Sequence, residues 1–281
     1  MLSLRYAAPA PELREFISTY YLFRADLSDI ADSTRADLPQ IRFMLSGSGH
    51  YTFGDGSKAK CPEAMVTGPT TSATRITAKG PLVVFGIGLL PAGWNAIIGG
   101  SAAEMTDLVE DARAVLGTFA EDMLDILRHS QSFDNMIGIA DLSMRSLVQQ
   151  PRDRPLEWFI HATNEWLMGD ISPNVDTLIA ETGLSGRQVE RLTNRIYGAP
   201  PKLLARKYRA LRIASSLSDE GVDWQDLMGD AFYDQSHFIR EFKRFTGQTP
   251  RQFQLVPTPL TRLMTARRRI SGLVSPLTLK T

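Results

Sequence analysis

The sequence predicts a two-domain protein: an N-terminal, mainly β domain of barrel or sandwich type followed by helices, and an all-α C-terminal domain with two helix-turn-helix units joined by a linker helix. Three observations carry this. From Phe16 to Leu90, short apolar runs alternate with turns rich in Gly and Pro; from Ala92 the apolar spacing becomes helical; and near the end one stretch is written twice, 49 residues apart. At 281 residues the chain is long enough for two domains with separate cores.

The strand candidates are Ile17 to Phe23, Ile41 to Leu45, His50 to Phe53, Ala64 to Thr67 and Leu82 to Leu89. The turns Gly47-Ser48-Gly49, Gly54-Asp55-Gly56 and Gly68-Pro69 separate them. Short strands at such spacing form a sandwich or barrel, whose mouth is a natural small-molecule pocket. Tyr51, Phe85 and Trp94 are candidates to line it, although aromatic residues in such a domain more often fill the core. Helical runs follow, one carrying Met123, Leu124, Ile126 and Leu127, the other Ile137, Ile139, Leu142 and Leu147. Residues 1–150 then form one domain, Pro151 to Pro155 with Arg152, Asp153 and Arg154 a linker, and residues 156–256 the second domain, opened by a helix that places Trp158, Phe159 and Trp166 in its core.

In the repeat, Ser185, Val189, Arg191, Arg195, Ile196, Gly198, Pro201 and Lys202 recur as Asp234, Phe238, Arg240, Arg244, Phe245, Gly247, Pro250 and Arg251. Ser185 and Asp234 are N-caps, and Gly198 and Gly247 are stops. Val189, Leu192 and Ile196 make an inward stripe in the first copy, and Phe238, Phe242 and Phe245 in the second. Arg187, Glu190, Arg191 and Asn194 then point outward, as do Gln235, Ser236, Arg240 and Lys243, with side chains suited to base edges and phosphates. A shorter helix precedes each copy. The first starts at Ser172 and Pro173 and runs through Val175, Leu178 and Ile179 to Gly183; the second runs from Trp224 through Leu227 and Met228. Each pair has the pattern of a helix-turn-helix. Pro201 to Leu217 reads as a continuous helix of roughly 25 Å at 1.5 Å per residue. That length sets the two readers about one DNA turn apart, roughly 34 Å, in successive major grooves.

From Leu156 to Gln254 the chain resembles the DNA-binding domain of the AraC/XylS family of bacterial transcription regulators. The run Asp234-Gln235-Ser236-His237-Phe238, followed by Arg240, Phe242, Gly247, Thr249, Pro250 and Phe253, carries the resemblance, and Gly183, Ser185, Arg191, Gly198 and Pro201 match the first unit. The family's turn glycine is replaced by Ala231 ahead of Phe232, and the stretch from Leu227 is one residue short, so the second unit is expected to sit differently or bind more weakly. The resemblance implies base contacts by Arg187, Glu190, Arg191, Gln235, Ser236, His237 and Arg240, with His237 equally able to pack or cap in the first turn. Arg195, Lys202, Lys243 and Arg244 would hold phosphates. It also implies double-stranded DNA and RNA polymerase as partners, activation as the habit of regulation, and a cupin-like sensor domain ahead of the DNA-binding domain. That sensor domain would take a small-molecule effector, which the sequence leaves unidentified, and its helices would offer a homodimer surface.

Formal charge balances at +0. The balance is uneven, with 17 Lys plus Arg against 11 Asp plus Glu from Asp170 onward, and 14 against 20 before it. Between Ser185 and Arg212 stand Arg187, Arg191, Arg195, Lys202, Arg206, Lys207, Arg209 and Arg212 against Glu190 alone, the footprint of a DNA face. With Cys61 the one cysteine, an internal disulfide and a Cys-rich zinc site are excluded, and beside Pro62 the thiol reads as buried and inert rather than as a sensor. No apolar run approaches 18 residues and the N-terminus lacks a signal core, so a cytoplasmic protein without membrane contact is expected.

Two other classes are weighed. A cupin-type metalloenzyme needs convergent ligands, and the histidines are only His50, His129, His161 and His237, of which His50 alone lies in the barrel segment. Gly86, Gly88 and Gly93, and Gly99-Gly100, lack the spacing of nucleotide-binding loops. No catalytic residue, metal or cofactor is therefore assigned. A protein-interaction module would use the helix pairs without an operator, and the basic recognition helices speak against it. The basic tail from 257 to 281, with Arg262, Arg267, Arg268 and Arg269, has too few apolar residues for a core and is expected to be disordered and solvated, or to brush DNA phosphates.

Overall fold

In the computed structural model, which describes residues 1–148, 156–217 and 235–280, the N-terminal region is one antiparallel sheet. Its strands are β1 (Leu2–Ala7), β2 (Ile17–Ala25), β3 (Asp29–Thr34), β4 (Gln40–Thr52), β5 (Lys58–Lys60), β6 (Ala64–Thr67), β7 (Thr74–Leu89) and β8 (Val109–Asp111). The pairing order is β1-β2-β7-β4-β6-β8, with β3 on β7 and β5 on β4. Side chains alternate with period two. Tyr20 and Leu22, Ile41 and Phe43, and Phe85 and Ile87 enter a large core on one face. Tyr21, Phe23, Arg42, Met44 and Val84 line a cavity on the other, joined by Leu4 from β1, Ile30 from β3 and Met65 from β6. One cavity reached from six strands requires the sheet to roll around it, which is the mainly β architecture expected.

Several strands differ from expectation. Ile41 to Leu45 and His50 to Phe53 are not two strands but parts of β4, because Gly47, at φ +88°, and the register shifts around Ser46 make a bulge where the sequence suggests a turn. β7 likewise starts at Thr74 rather than Leu82. β3 escapes a pattern search because its sequence, DIADST, is polar and half-exposed at the sheet's edge. Gly86 is glycine because a Cβ there would lie 2.0 Å from the Tyr21 ring stacked on the neighbouring strand.

After β7 come a single turn α1 (Pro91–Gly93), a wider turn closed by Gly99 N–H donating to Trp94 O at 2.8 Å, then α2 (Ala112–Leu116), α3 (Thr118–Arg128) and α4 (Phe133–Val148). Met123, Leu124, Leu127, Met136, Ala140 and Met144 press these helices into the sheet's core. Ile126 and Leu142, members of the two apolar runs, are exposed at 50% and 67%. The C-terminal helices are α5 (Glu157–Gly169), α6 (Val175–Thr182), α7 (Gly186–Tyr197), α8 (Pro201–Ser216), α9 (Gln235–Thr246), α10 (Pro250–Leu255), α11 (Pro259–Met264) and α12 (Pro276–Lys280). In α5, Phe159 and Trp166 are buried while Trp158 is half-exposed, one helical position away from the core side. The core of the sheet continues without a break through Trp94 and Phe133 into Phe159, Val189 and Tyr208, so the two halves share it.

The expected start of α6 shifts: its cap is Asn174, whose side chain accepts from Asp176 N–H at 2.9 Å, rather than Ser172. The C-terminal tail is a larger correction. Residues 259–280 fold as α11, a tight turn over Thr265–Ile270, and α12, burying Met264, Arg267 and Leu277. Few apolar residues suffice because they dock on surfaces that the rest of the chain has already built. The linker Pro151 to Pro155, the short helix expected from Trp224 to Met228, the Ala231-Phe232 turn and the cap Asp234 lie outside the described residues.

Candidate nucleic-acid interface

The first recognition helix, α7, begins with a reciprocal capping box: Gln188 N–H donates to Ser185 Oγ at 3.4 Å, and Ser185 N–H donates to Gln188 Oε1 at 2.9 Å. Gly198 ends it in the left-handed conformation at φ +74°. Val189, Thr193, Ile196 and Tyr197 form its buried side, with Leu192 half-buried. Tyr197 fixes the helix to α5, its hydroxyl donating to Asn164 Oδ1 at 2.8 Å. Arg187, Glu190, Arg191 and Arg195 are exposed on the opposite side, and Asn194 is half-buried, its amide donating to Glu190 O. Gly183, also left-handed, makes the tight turn from α6.

The second candidate recognition helix, α9, repeats the division into a buried apolar side and an exposed polar one. Phe238, Phe242 and Phe245 are buried at 2%, 0% and 0%, and Phe242 meets Phe253 of α10 edge-on at 5.6 Å between centroids. Gln235, Ser236, His237, Arg240, Lys243 and Arg244 are exposed. His237 sits 3.8 Å from Glu241 through Nδ1, one turn on, with half its side chain open to solvent. Gly247, at φ +82°, closes the helix, and Thr249 with Gln252 caps α10 by a second reciprocal box. All of the sequence-assigned DNA-contacting residues, Lys202 on the first turn of α8 included, are exposed.

The wider basic set divides. Arg206 and Arg209 are engaged within the protein: both pair with the buried Glu241, Arg209 at 2.9 Å, and tie α8 to α9, although Arg206 stays partly exposed. Arg212 caps the end of α5 through the Met168 and Asp170 carbonyls. Lys207 is buried, its ammonium donating to Asp37 O and Thr70 O of the N-terminal domain, each at 2.9 Å, and burial pushes its pKa down to about 8. Four of the eight cations between Ser185 and Arg212 thus hold the protein together.

The N-terminal domain grips both recognition helices at their C-terminal ends. Thr106 Oγ1 donates to Gly198 O at 2.8 Å, Ala36 N–H to Phe245 O at 2.7 Å, and Ala73 N–H to Arg244 O at 2.8 Å. These carbonyls belong to helix ends that have no partner within the helix. In the N-terminal halves, the residues assigned from the sequence to base contacts are exposed.

The cavity inside the rolled sheet encloses about 120 Å³ and is lined mainly by apolar side chains. Tyr51 lines it as anticipated; Phe85 and Trp94 are wholly buried in the core on the other face. Cys61 also borders it, and burial pushes its thiol up to about 11, which keeps it protonated and inert. Asp37 stands at one end. Although burial opposes its ionisation, Arg267 at 3.6 Å and the Leu38 amide hold its pKa below the usual value.

Residues 178–255 match a helix-turn-helix domain family, and residues 5–111 match a domain of unknown function, DUF6597. The F1 operon positive regulatory protein of Yersinia pestis is 32% identical over 99 residues, 35% of this chain and 33% of that protein. The helix-turn-helix match runs from α6 to α10. The aligned part spans about a third of that curated relative's length. Among solved structures, ToxT of Vibrio cholerae O395 is similar with a TM-score of 0.44 and 11% identity, over 83% of this chain and 99% of ToxT. The AraC-like transcriptional activator CuxR is similar with a TM-score of 0.31 and 13% identity, over 75% of this chain and 86% of CuxR.

Proposed function

We propose that the protein is a sequence-specific DNA-binding transcription regulator that inserts α7 and α9 into successive major grooves. The observation that carries the reading is the presence of two helices, each with an exposed polar and basic N-terminal half, a left-handed glycine at its end and a C-terminal end held by the N-terminal domain. Arg187, Glu190 and Arg191 would read one groove, and Gln235, Ser236, His237 and Arg240 the other. Arg195, Lys202, Lys243 and Arg244 would set register on phosphates. Activation, with contact to RNA polymerase, is the mode we assign; the described Yersinia relative is named as a positive regulator. A homodimer would use the α3 and α4 surface on which Ile126 and Leu142 are exposed. An effector would enter the sheet cavity.

The test is selection of bound fragments from genomic DNA with the full chain, followed by footprinting. Two protected blocks about one turn apart on one face of the duplex support the reading. Selection that yields no sequence preference contradicts it.

A further inference from the structure

The cavity within the rolled sheet is apolar except for a few groups, among which Arg42 of β4 stands out. Arg42 Nε donates to Gln40 Oε1 at 2.9 Å, and one terminal nitrogen donates to the Tyr51 hydroxyl. A guanidinium has five N–H donors, so three remain; Asp37, which also lines the cavity, acts on Arg42 through charge but makes its ion pair with Arg267 and its side-chain bond with Gln40, and among the described residues no carboxylate makes an ion pair with Arg42 itself. A cation inside an apolar chamber with unspent planar donors is suited to a carboxylate, which accepts two of them side by side. The remaining wall, including Phe23, Ile76, Val84 and Met65, suits a hydrocarbon body. About 120 Å³ is on the scale of the roughly 150 Å³ apolar cavity that holds benzene, which sets the ligand's size.

The roof of the chamber is the chain's own C-terminal segment. Leu260, Leu263, Met264 and Arg267 line it from above. Leu260 N–H donates to Asp32 Oδ2 of β3 at 2.8 Å, and the Arg267 guanidinium lies over the Tyr6 ring of β1 at 5.1 Å. The next residue, Arg268, donates to Ser215 O near the end of α8. A ligand in the chamber therefore touches a segment that is fastened to the sheet on one side and to the linker helix on the other.

We propose that this cavity binds a compact apolar monocarboxylate, with its carboxylate on Arg42 and residues 260–267 closing over it as a lid. Its consequence for DNA rests on the regulator reading; the binding itself does not. The experiment titrates the full chain calorimetrically with 3-phenylpropanoate, cyclohexanecarboxylate and 4-methylpentanoate, and with the primary amide of each. At least one acid is expected to bind with a Kd below about 1 mM, and its amide about tenfold or more weaker. Arg42→Lys should keep part of that preference, Arg42→Gln should abolish it, and Leu263→Trp, which fills the chamber from the lid side, should remove binding of acid and amide alike. Absence of binding by every acid, equal binding of acid and amide, or unchanged binding by a folded Leu263→Trp protein overturns the proposal. Affinity for the selected DNA is measured with and without the bound acid. Acid binding by a chain that selects no DNA supports the site and overturns the regulator reading, whereas DNA selection without acid binding overturns the site alone.

Discussion

Lys207 and Arg191 lie in the same run of cations and serve opposite ends. Burial lowers the Lys207 pKa to about 8 in the folded protein, while its ordinary value is 10.5. Between those values the unfolded chain binds more protons than the folded one, so the position's contribution to stability rises with pH across that window. The stability of the wild type relative to Lys207→Met is expected to increase from pH 8 to pH 10.5, by on the order of 3 kcal/mol at most, in urea titrations at each pH. A constant difference would contradict the buried-cation assignment. Arg191, exposed, belongs to the proposed DNA surface. Arg191→Ala should weaken binding to the selected sequence by about 1–3 kcal/mol and relax preference at one base position. The sequence separates the two poorly, because the partners that retire Lys207 and Arg209 from the surface are 170 and 32 residues away along the chain. Composition locates the cluster; only tertiary structure says which members are spent.

Helix ends were the most legible elements. Ser185, Gly198 and Gly247 announce their roles because capping and left-handed stops depend on one residue's local chemistry. The edge strand β3, the bulge at Gly47 and the docked tail were not legible, since each depends on a surface supplied from elsewhere in the chain. Two glycines of similar conformation separate local from tertiary demands. Gly183→Ala meets only an unfavourable φ of +65°, with nothing within 4 Å of the new Cβ, and should cost about 1 kcal/mol. Gly198→Ala adds a Cβ 2.3 Å from Thr106 Oγ1 and 2.5 Å from Pro69, and should cost about 2–3 kcal/mol while loosening the grip on α7. Equal losses in chemical denaturation would contradict the docking of that helix end. Between α8 and α9, Glu241→Gln leaves two arginines without their carboxylate and is expected to lower stability by about 2–3 kcal/mol, since Glu241 is buried while Arg206 is partly exposed.

At the scale of the whole molecule, the N-terminal domain is a support that holds the C-terminal ends of both recognition helices, and its core runs into theirs. Such an arrangement fixes α7 and α9, the two proposed readers, relative to one another within a single chain. The overall charge of +0 gives no general attraction to a polyanion, so the proposed DNA binding rests on the local cationic surface. The measurement that tests this most directly is the affinity of the full chain for its selected DNA across a salt series, with Arg191→Ala and Arg240→Ala beside the wild type. The account predicts a selected site with two blocks about one helical turn apart, log affinity falling linearly with log salt at roughly 0.9 per phosphate neutralised, and a weakening by either substitution. No enrichment over competitor DNA at any salt, or affinity indifferent to both salt and the two arginines, would contradict it.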